Sequence, residues 1–229
     1  MLPGPDPDFP YLNEYERYAF PDPDKSQNDS IIIFGGNLSP GMLLSAYEQG
    51  LFPWYNYDQP VIWHSPDPRF ILFPENLHIP NSLKKLLKHN KYKITFNVDF
   101  ENVIANCSKI YRPNQSGTWI TSDMVKAYTE MHRLGWAVSA EAWEGNELAG
   151  GCYGLLFTNI FFGESMFAKK PNASKAAFAV LAKSLFNAGI VFIDCQTYTN
   201  HLERFGAKMI SRSDYLRLLK ENITQNRSR

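Results

Sequence analysis

The spacing of hydrophobic residues changes between helical and extended periods along this chain. Residues 31–36 form a short apolar run that ends at two glycines, which predicts a strand followed by a turn. Ser39 and Pro40 mark a helix start, because serine accepts hydrogen bonds at an N-cap and proline fits the first turn. Gly50 is a typical helix stop, and residues 61–63 predict a second short strand.

Helices and strands continue to alternate through the rest of the sequence. The pattern predicts strands at 69–73, 92–96 and 190–194 and helices at 81–88, 99–107, 122–135, 173–188 and 211–221. Ser122 and Asn172 are the predicted N-caps of two of these helices. Residues 136–167 are extended throughout, with a hairpin turn at Gly145 and Asn146. This order predicts an α+β fold built on a mixed sheet with helices.

Composition places the chain among ordinary globular proteins. Of its 229 residues, 44% are hydrophobic, which is enough for a core, and the length suits one large domain or a domain with a smaller companion. The pattern changes near residue 65, so we predict a small N-terminal α/β domain at 1–66 and a larger domain at 67–229. The Pro- and Asp-rich start is unlike a signal peptide, and no apolar run approaches about 18 residues. We therefore expect a cytoplasmic protein without a membrane segment.

Charge and cysteine usage narrow the function classes. Acidic and basic residues both number 23, so the chain has no bulk charge that would bind nucleic acid by itself. The three cysteines are widely spaced, and the five histidines form no close pair. Neither a disulfide framework nor a metal site is therefore expected.

One local basic patch interrupts this neutral background. Residues 83–93 contain no acid and five lysines, namely Lys84, Lys85, Lys88, Lys91 and Lys93. The patch is either the solvated face of a helix or a surface that contacts phosphate groups.

Two acidic positions are costly in a protein that needs only to fold. Glu164 lies in the apolar run FFGESMF, where it either faces solvent from an edge strand or is buried with partners or a raised pKa. Asp194 and Gln196 lie two residues apart at the end of a buried strand, so an extended backbone points both to one side. A carboxylate beside an amide can orient it and polarise its oxygen towards an incoming amine.

Cysteine and tryptophan residues near these positions leave alternatives open. Cys195 is expected to be a small buried hydrophobe, and a nucleophilic pair of Cys195 with His201 lacks the local signature of a thiol hydrolase. Trp54 in FPWY and Trp119 in GTWI lie near proline or glycine. Such tryptophans either form stacking platforms for bases or fill the core.

Several segments together carry a resemblance to one family. In chain order they are GNLSPGMLLSAYEQGLFPWY, PVIWHSPDPR, GTWIT, GGCYG, FFGESMF, NASKAA, IDCQ and FGAKMISRSDYL. They resemble leucyl/phenylalanyl-tRNA–protein transferases in order and spacing, from about residue 20 to about residue 220. The resemblance implies an acetyltransferase-like (GNAT-type) fold in the larger domain, with no metal and no small-molecule cofactor.

The resemblance also implies a reaction. The α-amine of a protein that begins with Arg or Lys attacks the ester of Leu-tRNA or Phe-tRNA, with Met as a further candidate donor. A peptide bond forms, free tRNA is released, and the new N-terminal residue is a degradation signal in bacteria. The implied partners are therefore aminoacyl-tRNA and acceptor proteins, and we expect a monomer.

Site residues carry over from the family one position at a time. Asp194 matches an acid that acts through Gln196 to assist deprotonation of the amine, and Glu164 matches an acid that helps to hold the acceptor. Trp54 and Trp119 match contacts to the terminal adenosine. The positions that match the donor side-chain pocket are Cys152, Phe161, Met166, Phe178 and Ile193. The patch that includes Lys84, Lys85 and Lys88 lies where the family meets the tRNA acceptor stem.

Three departures from the family pattern, the first of them Asn37 where aspartate is usual, and two alternative functions bear on this interpretation. His64 stands where the family usually has a second tryptophan, and Cys152 where methionine is common, which enlarges the pocket. A coenzyme A-dependent N-acetyltransferase would need a glycine-rich loop before the long helix, and residues 167–176 contain no glycine. A non-catalytic tRNA or peptide binder on the same scaffold is the other alternative.

Overall fold

Two β-sheets organise the fold in the computed structural model, which describes residues 3–26, 30–110, 119–157 and 159–223. Gly117 and Thr118 of the GTWI segment lie outside these ranges. The strands are β1 Ile31–Phe34, β2 Phe52–Pro53, β3 Ile62–His64, β4 Arg69–Leu72, β5 Lys93–Phe96, β6 Ala137–Glu144, β7 Glu147–Leu156, β8 Ile160–Ala168, β9 Phe192–Gln196 and β10 Lys208–Ile210. One sheet has the order β1-β3-β2, and the other has the order β10-β4-β9-β8-β7-β6-β5.

The helices pack on both faces of the larger sheet. They are α1 Pro40–Glu48, α2 Asn81–Lys88, α3 Phe100–Lys109, α4 Ser122–Arg133, α5 Ala173–Asn187, α6 Asn200–Glu203 and α7 Arg212–Asn222. These elements confirm the predicted α+β fold with a mixed sheet. Thr121, and not Ser122, caps α4, because the Thr121 side chain accepts from the backbone N–H of Met124. Asn172 does precede α5, but its side chain makes no capping bond.

The order of strands places β8 and β9 side by side near the middle of the larger sheet. They run parallel, whereas all other neighbouring pairs in this sheet are antiparallel. Helix α5 makes the crossover between them that a parallel pair requires. It lies close to the sheet at Gly150, where an added Cβ would meet the Cβ of Ala173 at 2.7 Å.

A layer of apolar side chains covers each face of the larger sheet. On one face, Ala140, Phe161 and Ile193 belong to the same cluster as the buried alanines of α5. On the other face, Tyr153 and Phe162 pack in one cluster with residues of α1, α3 and α4. Helix α1, which precedes residue 66, is therefore buried in the core that the larger sheet also uses. The domain boundary near residue 66 stays a prediction.

Candidate active site

A pocket of about 420 Å³ lies beside β8 and the end of β9. Its volume is in the range that holds a small ligand, roughly 300–1,000 Å³. The positions expected to hold the donor side chain all line it, namely Cys152, Phe161, Met166, Phe178 and Ile193. Trp54, Trp119, Glu164 and Gln196 line the same pocket. The fold therefore collects most of the predicted site residues around one cavity, while their roles stay predictions.

Glycine in β7 shapes the apolar part of this pocket. A Cβ on Gly154 would clash with the Phe162 carbonyl oxygen on the neighbouring strand and would lie 2.5 Å from the ring of Phe161, so this position requires glycine. Elsewhere in the pocket lining, Phe178 of α5 packs edge-on against Phe205, with ring centroids 5.0 Å apart. The GGCYG segment thus has a geometric reason for its first and last glycines, at the helix contact and at the pocket.

Glu164 is buried in the wall of the pocket. Strand β8 lies inside the sheet, so the edge-strand interpretation of Glu164 is wrong, and the residue is only 9% exposed. Its Oε1 accepts from the Tyr47 hydroxyl at 2.6 Å and from the Gln196 amide nitrogen at 2.9 Å. Burial raises the pKa of Glu164 to about 7, although hydrogen bonds from Tyr47 and Gln196 lower it. Oε2 is buried and has no hydrogen-bond partner among the described residues.

Gln196 ends β9 with a backbone conformation that is unusual for a residue with a side chain. Its φ is 62°, in the left-handed region, which costs free energy and is found where surroundings or function impose it. Its backbone N–H donates to Asp194 Oδ1 at 2.8 Å. Because the amide nitrogen donates to Glu164, the amide oxygen is the atom of this side chain that is left to accept a hydrogen bond.

Asp194 lies behind the pocket wall and is fully buried. Arg69 donates to both of its oxygens, from Nε at 3.0 Å and from Nη2 at 2.7 Å, and the Tyr215 hydroxyl donates at 2.8 Å. The Arg69 guanidinium lies between two rings, 4.8 Å from the centre of Phe52 and 4.4 Å from that of Tyr215. Asp194 therefore contacts Gln196 through the backbone, while Glu164 holds the Gln196 side chain.

Trp54 and Trp119 serve the core and the pocket at once. Both are partly buried and pack against the main apolar cluster, and both line the pocket. His64 supports Trp54, because its Nε2 lies 3.0 Å from the Trp54 carbonyl oxygen and must donate to it. Nδ1 then accepts from the Ser30 hydroxyl at 2.9 Å, and burial lowers the pKa of His64, which favours this neutral form. The histidine thus fixes the backbone that carries Trp54.

The Cys195–His201 pair gains no support from the structure, although both residues line the pocket. Burial raises the pKa of the Cys195 thiol, and burial together with Lys175 and Arg204 lowers the pKa of His201 to about 4. Both shifts oppose the thiolate and imidazolium that such a pair needs. Cys195 is 7% exposed, as expected for a small buried hydrophobe.

Three lysines of the basic patch lie on α2 and Lys93 lies on β5, and none of the five lysines lines the pocket. Lys84, Lys85 and Lys88 are exposed, while Leu83 of the same helix is buried. In the part of the chain that the structure describes, His, Cys, Asp and Glu form no group of three or more that could hold a metal ion. Nor is any helix within those ranges long and apolar enough to cross a membrane.

Arg69, Tyr47, Tyr128 and Tyr215 are site residues that the sequence did not reveal. Tyr47 and Tyr128 lie at positions that match the apolar spacing of their helices, so the sequence predicts only that they are core residues. Arg69 offered a weak signal, since a charged residue opens the apolar strand RFIL. Together with the pocket, these residues define the class of the protein, an α+β fold with a largely apolar pocket beside a buried carboxylate and an amide.

Comparison with known proteins gives the family within that class. A family model described as leucyl/phenylalanyl-tRNA protein transferase matches residues 71–220, and one for the N-terminal domain of these proteins matches residues 36–67. The leucyl/phenylalanyl-tRNA–protein transferase of Anaeromyxobacter sp. (strain K) is 48% identical over 207 residues, or 90% of this chain and 89% of the relative. That of Myxococcus xanthus (strain DK1622) is 46% identical over 208 residues, or 91% and 89%. This chain belongs to the leucyl/phenylalanyl-tRNA–protein transferase family.

Proposed function

We propose that this protein transfers Leu or Phe, with Met as a further donor, from aminoacyl-tRNA to the N-terminal Arg or Lys of acceptor proteins. It does so in the cytoplasm as a monomer, and the product carries an N-terminal degradation signal. Family membership supports the reaction class. The observation that carries the proposal is the pocket, in which apolar side chains adjoin a Glu164–Gln196 pair 2.9 Å apart.

The pocket and its surroundings suit an aminoacyl-tRNA. An apolar slot of this size favours Leu and Phe over smaller side chains, because each methylene is worth about 1–3 kcal/mol there. Trp54 and Trp119 offer aromatic surfaces on which the terminal adenosine can stack. Lys84, Lys85 and Lys88 offer exposed positive charge to the phosphates of the acceptor stem.

The chemistry is ester aminolysis. The uncharged α-amine attacks the ester carbonyl, the C–N bond forms, the C–O bond to the tRNA breaks, and the 3′ oxygen leaves with a proton. The reaction is downhill, so the protein mainly positions the reactants and assists proton transfer. Gln196 accepts a hydrogen bond from the amine through its amide oxygen.

Glu164 is the group that suits the proton transfer. Its ionised form attracts the positive acceptor and takes a proton from the α-ammonium group. A raised pKa of about 7 is close to that of an α-amine, roughly 7.7–8.0, so little free energy separates the two protonation states. Asp194 acts through Gln196 as a positioning residue, because it holds the backbone that presents the amide.

A transfer assay tests the proposal. The protein is incubated with radiolabelled Leu-tRNA or Phe-tRNA and an acceptor protein that begins with Arg, and with the same acceptor beginning with Asp as a matched control. Label is expected in the Arg acceptor alone. Labelling only from radiolabelled acetyl-coenzyme A would indicate an acetyltransferase, and tRNA binding without any transfer would indicate a binder. Either result would contradict the proposal.

A further inference from the structure

Two buried tyrosines from different helices converge on Glu164. Tyr47 comes from α1 and Tyr128 from α4, and neither is exposed to solvent. Their hydroxyl oxygens lie 2.5 Å apart, and the Tyr47 hydroxyl donates to Glu164 Oε1 at 2.6 Å. The hydrogen-bonded chain thus runs from α4 through α1 to the pocket wall.

The Glu164 carboxylate at the end of this hydrogen-bonded chain determines which hydroxyl donates in each hydrogen bond. An ionised carboxylate only accepts, so Tyr47 gives its single hydroxyl proton to Glu164. The Tyr47 oxygen can then only accept, and Tyr128 must be its donor. Charge-assisted bonds of this kind are stronger than neutral ones, and a chain of them polarises its members.

Glu164 Oε1 therefore receives two donors, one from Tyr47 and one from the Gln196 amide nitrogen. Oε2 has no partner among the described residues and is the oxygen left for a proton. If the Gln196 amide were rotated by 180°, its oxygen would face Glu164 Oε1, which already accepts from Tyr47, and two acceptors would repel each other. The arrangement thus keeps the Gln196 amide oxygen free for the substrate amine.

We propose that Tyr47 and Tyr128 are positioning residues that make Oε2 the proton-exchanging oxygen of Glu164, fix the Gln196 amide and so set the working pH. The proposal rests on the proposed function insofar as Glu164 and Gln196 meet the attacking amine. Neither tyrosine lines the pocket, so neither contacts the substrate.

The other charged and titratable groups around Glu164 do not take over the control of its protonation from the two tyrosines. Asp194 on β9 raises the pKa of Glu164, but the Arg69 guanidinium on β4 neutralises Asp194 at 2.7 Å. Tyr153 on β7 lies edge-on to Tyr128, with ring centroids 5.8 Å apart. The hydrogen bond from Tyr47 lowers the pKa of Glu164, and Tyr128 supports that bond by donating to the Tyr47 oxygen, so removing either hydroxyl must raise the pKa.

The direct test is a carbon-13 NMR titration of the Glu164 carboxyl group in glutamate-labelled protein, assigned by loss of the signal in Glu164→Gln. Tyr47→Phe should raise the titration midpoint by about one pH unit, because one hydrogen bond to a charged group is lost. Tyr128→Phe should raise it less, since it removes the donor to Tyr47. The double variant should raise it most, because neither hydroxyl can then reach Glu164.

Transfer kinetics give a second readout. Activity needs ionised Glu164, so kcat/KM rises with pH through its midpoint, and the acidic limb should move upward in the same order as the titration. KM for aminoacyl-tRNA should stay unchanged. Tyr92→Phe is the matched control, because it deletes a buried hydroxyl that donates to the Pro171 carbonyl at 2.9 Å, away from Glu164.

Each outcome decides the proposal. The proposal would be overturned if the Glu164 titration midpoint and the acidic limb of the pH profile in Tyr47→Phe equal those of the wild-type protein. If Tyr47→Phe does not fold, Tyr128→Phe decides, with an upward shift for the proposal and no shift against it. The NMR titration does not need turnover. A wild-type protein without transfer activity would therefore contradict the proposed function, while the titration would still test the role of the two tyrosines.

Discussion

At the residue scale, the Asp194 carboxylate and the Arg69 guanidinium form an ion pair with no exposed surface on either side chain. Removing water from two charges is costly, so such a pair is weak support for stability as such. Its place suggests another use. The pair fixes Asp194 where it accepts the Gln196 N–H, and that bond accompanies the left-handed turn that directs the amide to the pocket.

Separate effects on stability and transfer are expected at this pair. Asp194→Asn should lower the free energy of unfolding by about 3 kcal/mol or more, because the Arg69 charge is then buried without its partner. The double variant Arg69→Met with Asp194→Leu should regain most of that stability. Its transfer rate should stay lower by roughly tenfold or more, since Gln196 loses its anchor. Chemical denaturation beside a transfer assay measures both, and full activity in the double variant would refute the positioning role.

Some site residues could be predicted from the sequence and others could not, and the difference is whether the signal is local in the chain. Glu164 and Asp194 could be found because each is a charge inside an apolar run, where a protein without a use for it would carry a hydrophobe. The partners of these acids could not be found, because the bonds join distant positions. Tyr47 and Tyr128 are 81 residues apart, and Arg69 and Asp194 are 125 apart.

At the element scale, long periodic segments were predictable, as were the short strands β1, β3 and β4, whereas β2 and β10 were not. Helix α5 and the β6–β7 hairpin follow from apolar spacing and a glycine turn. Strand β10 has only three residues, and pairing with β4 rather than local pattern makes it a strand. The α4 cap was misplaced by one residue because Thr121 and Ser122 are both good N-caps.

Helix α2 is the element whose surface is open to a direct test. Replacing Lys84, Lys85 and Lys88 with Ala should weaken tRNA binding, because all three side chains are exposed on this helix. Each phosphate contact that is lost should reduce the slope of log affinity against log salt by about 0.7–0.9. Binding measured over a range of salt concentrations gives that slope.

A charge-matched variant controls for the loss of three positive charges. Lys126, Lys183 and Lys220 are exposed and lie on other helices, α4, α5 and α7. Replacing them with Ala should leave the salt slope close to that of the wild-type protein. If both triple variants show the same slope of log affinity against log salt, the lysines on α2 form a solvated helix face and do not contact tRNA phosphates.

At the scale of the whole molecule, the segments before and after residue 66 share contacts as well as a core. The Arg212 side chain donates to the Ser65 carbonyl at 2.9 Å, and the Ser213 hydroxyl donates to Asp24 at 3.0 Å. The Trp136 ring N–H donates to Glu14 at 3.0 Å. The change in sequence pattern near residue 65 could be seen, but the extent of this packing could not, because it depends on faces that meet only in the folded chain.

Cooperative unfolding should follow from this shared core. Differential scanning calorimetry of the full chain is expected to show one transition, with calorimetric and van't Hoff enthalpies that agree. Two resolved transitions would instead support independent folding of the proposed domains at 1–66 and 67–229.

The central claim, that the pocket beside β8 and β9 holds the donor side chain, is tested most directly by Cys152→Met. Cys152 is 3% exposed and lines the pocket, so the longer side chain fills space that a large donor needs. We predict that kcat/KM for Phe-tRNA divided by kcat/KM for Leu-tRNA falls by about tenfold, and a ratio cancels any general loss of folded protein. An unchanged ratio in a folded, active variant would contradict the claim.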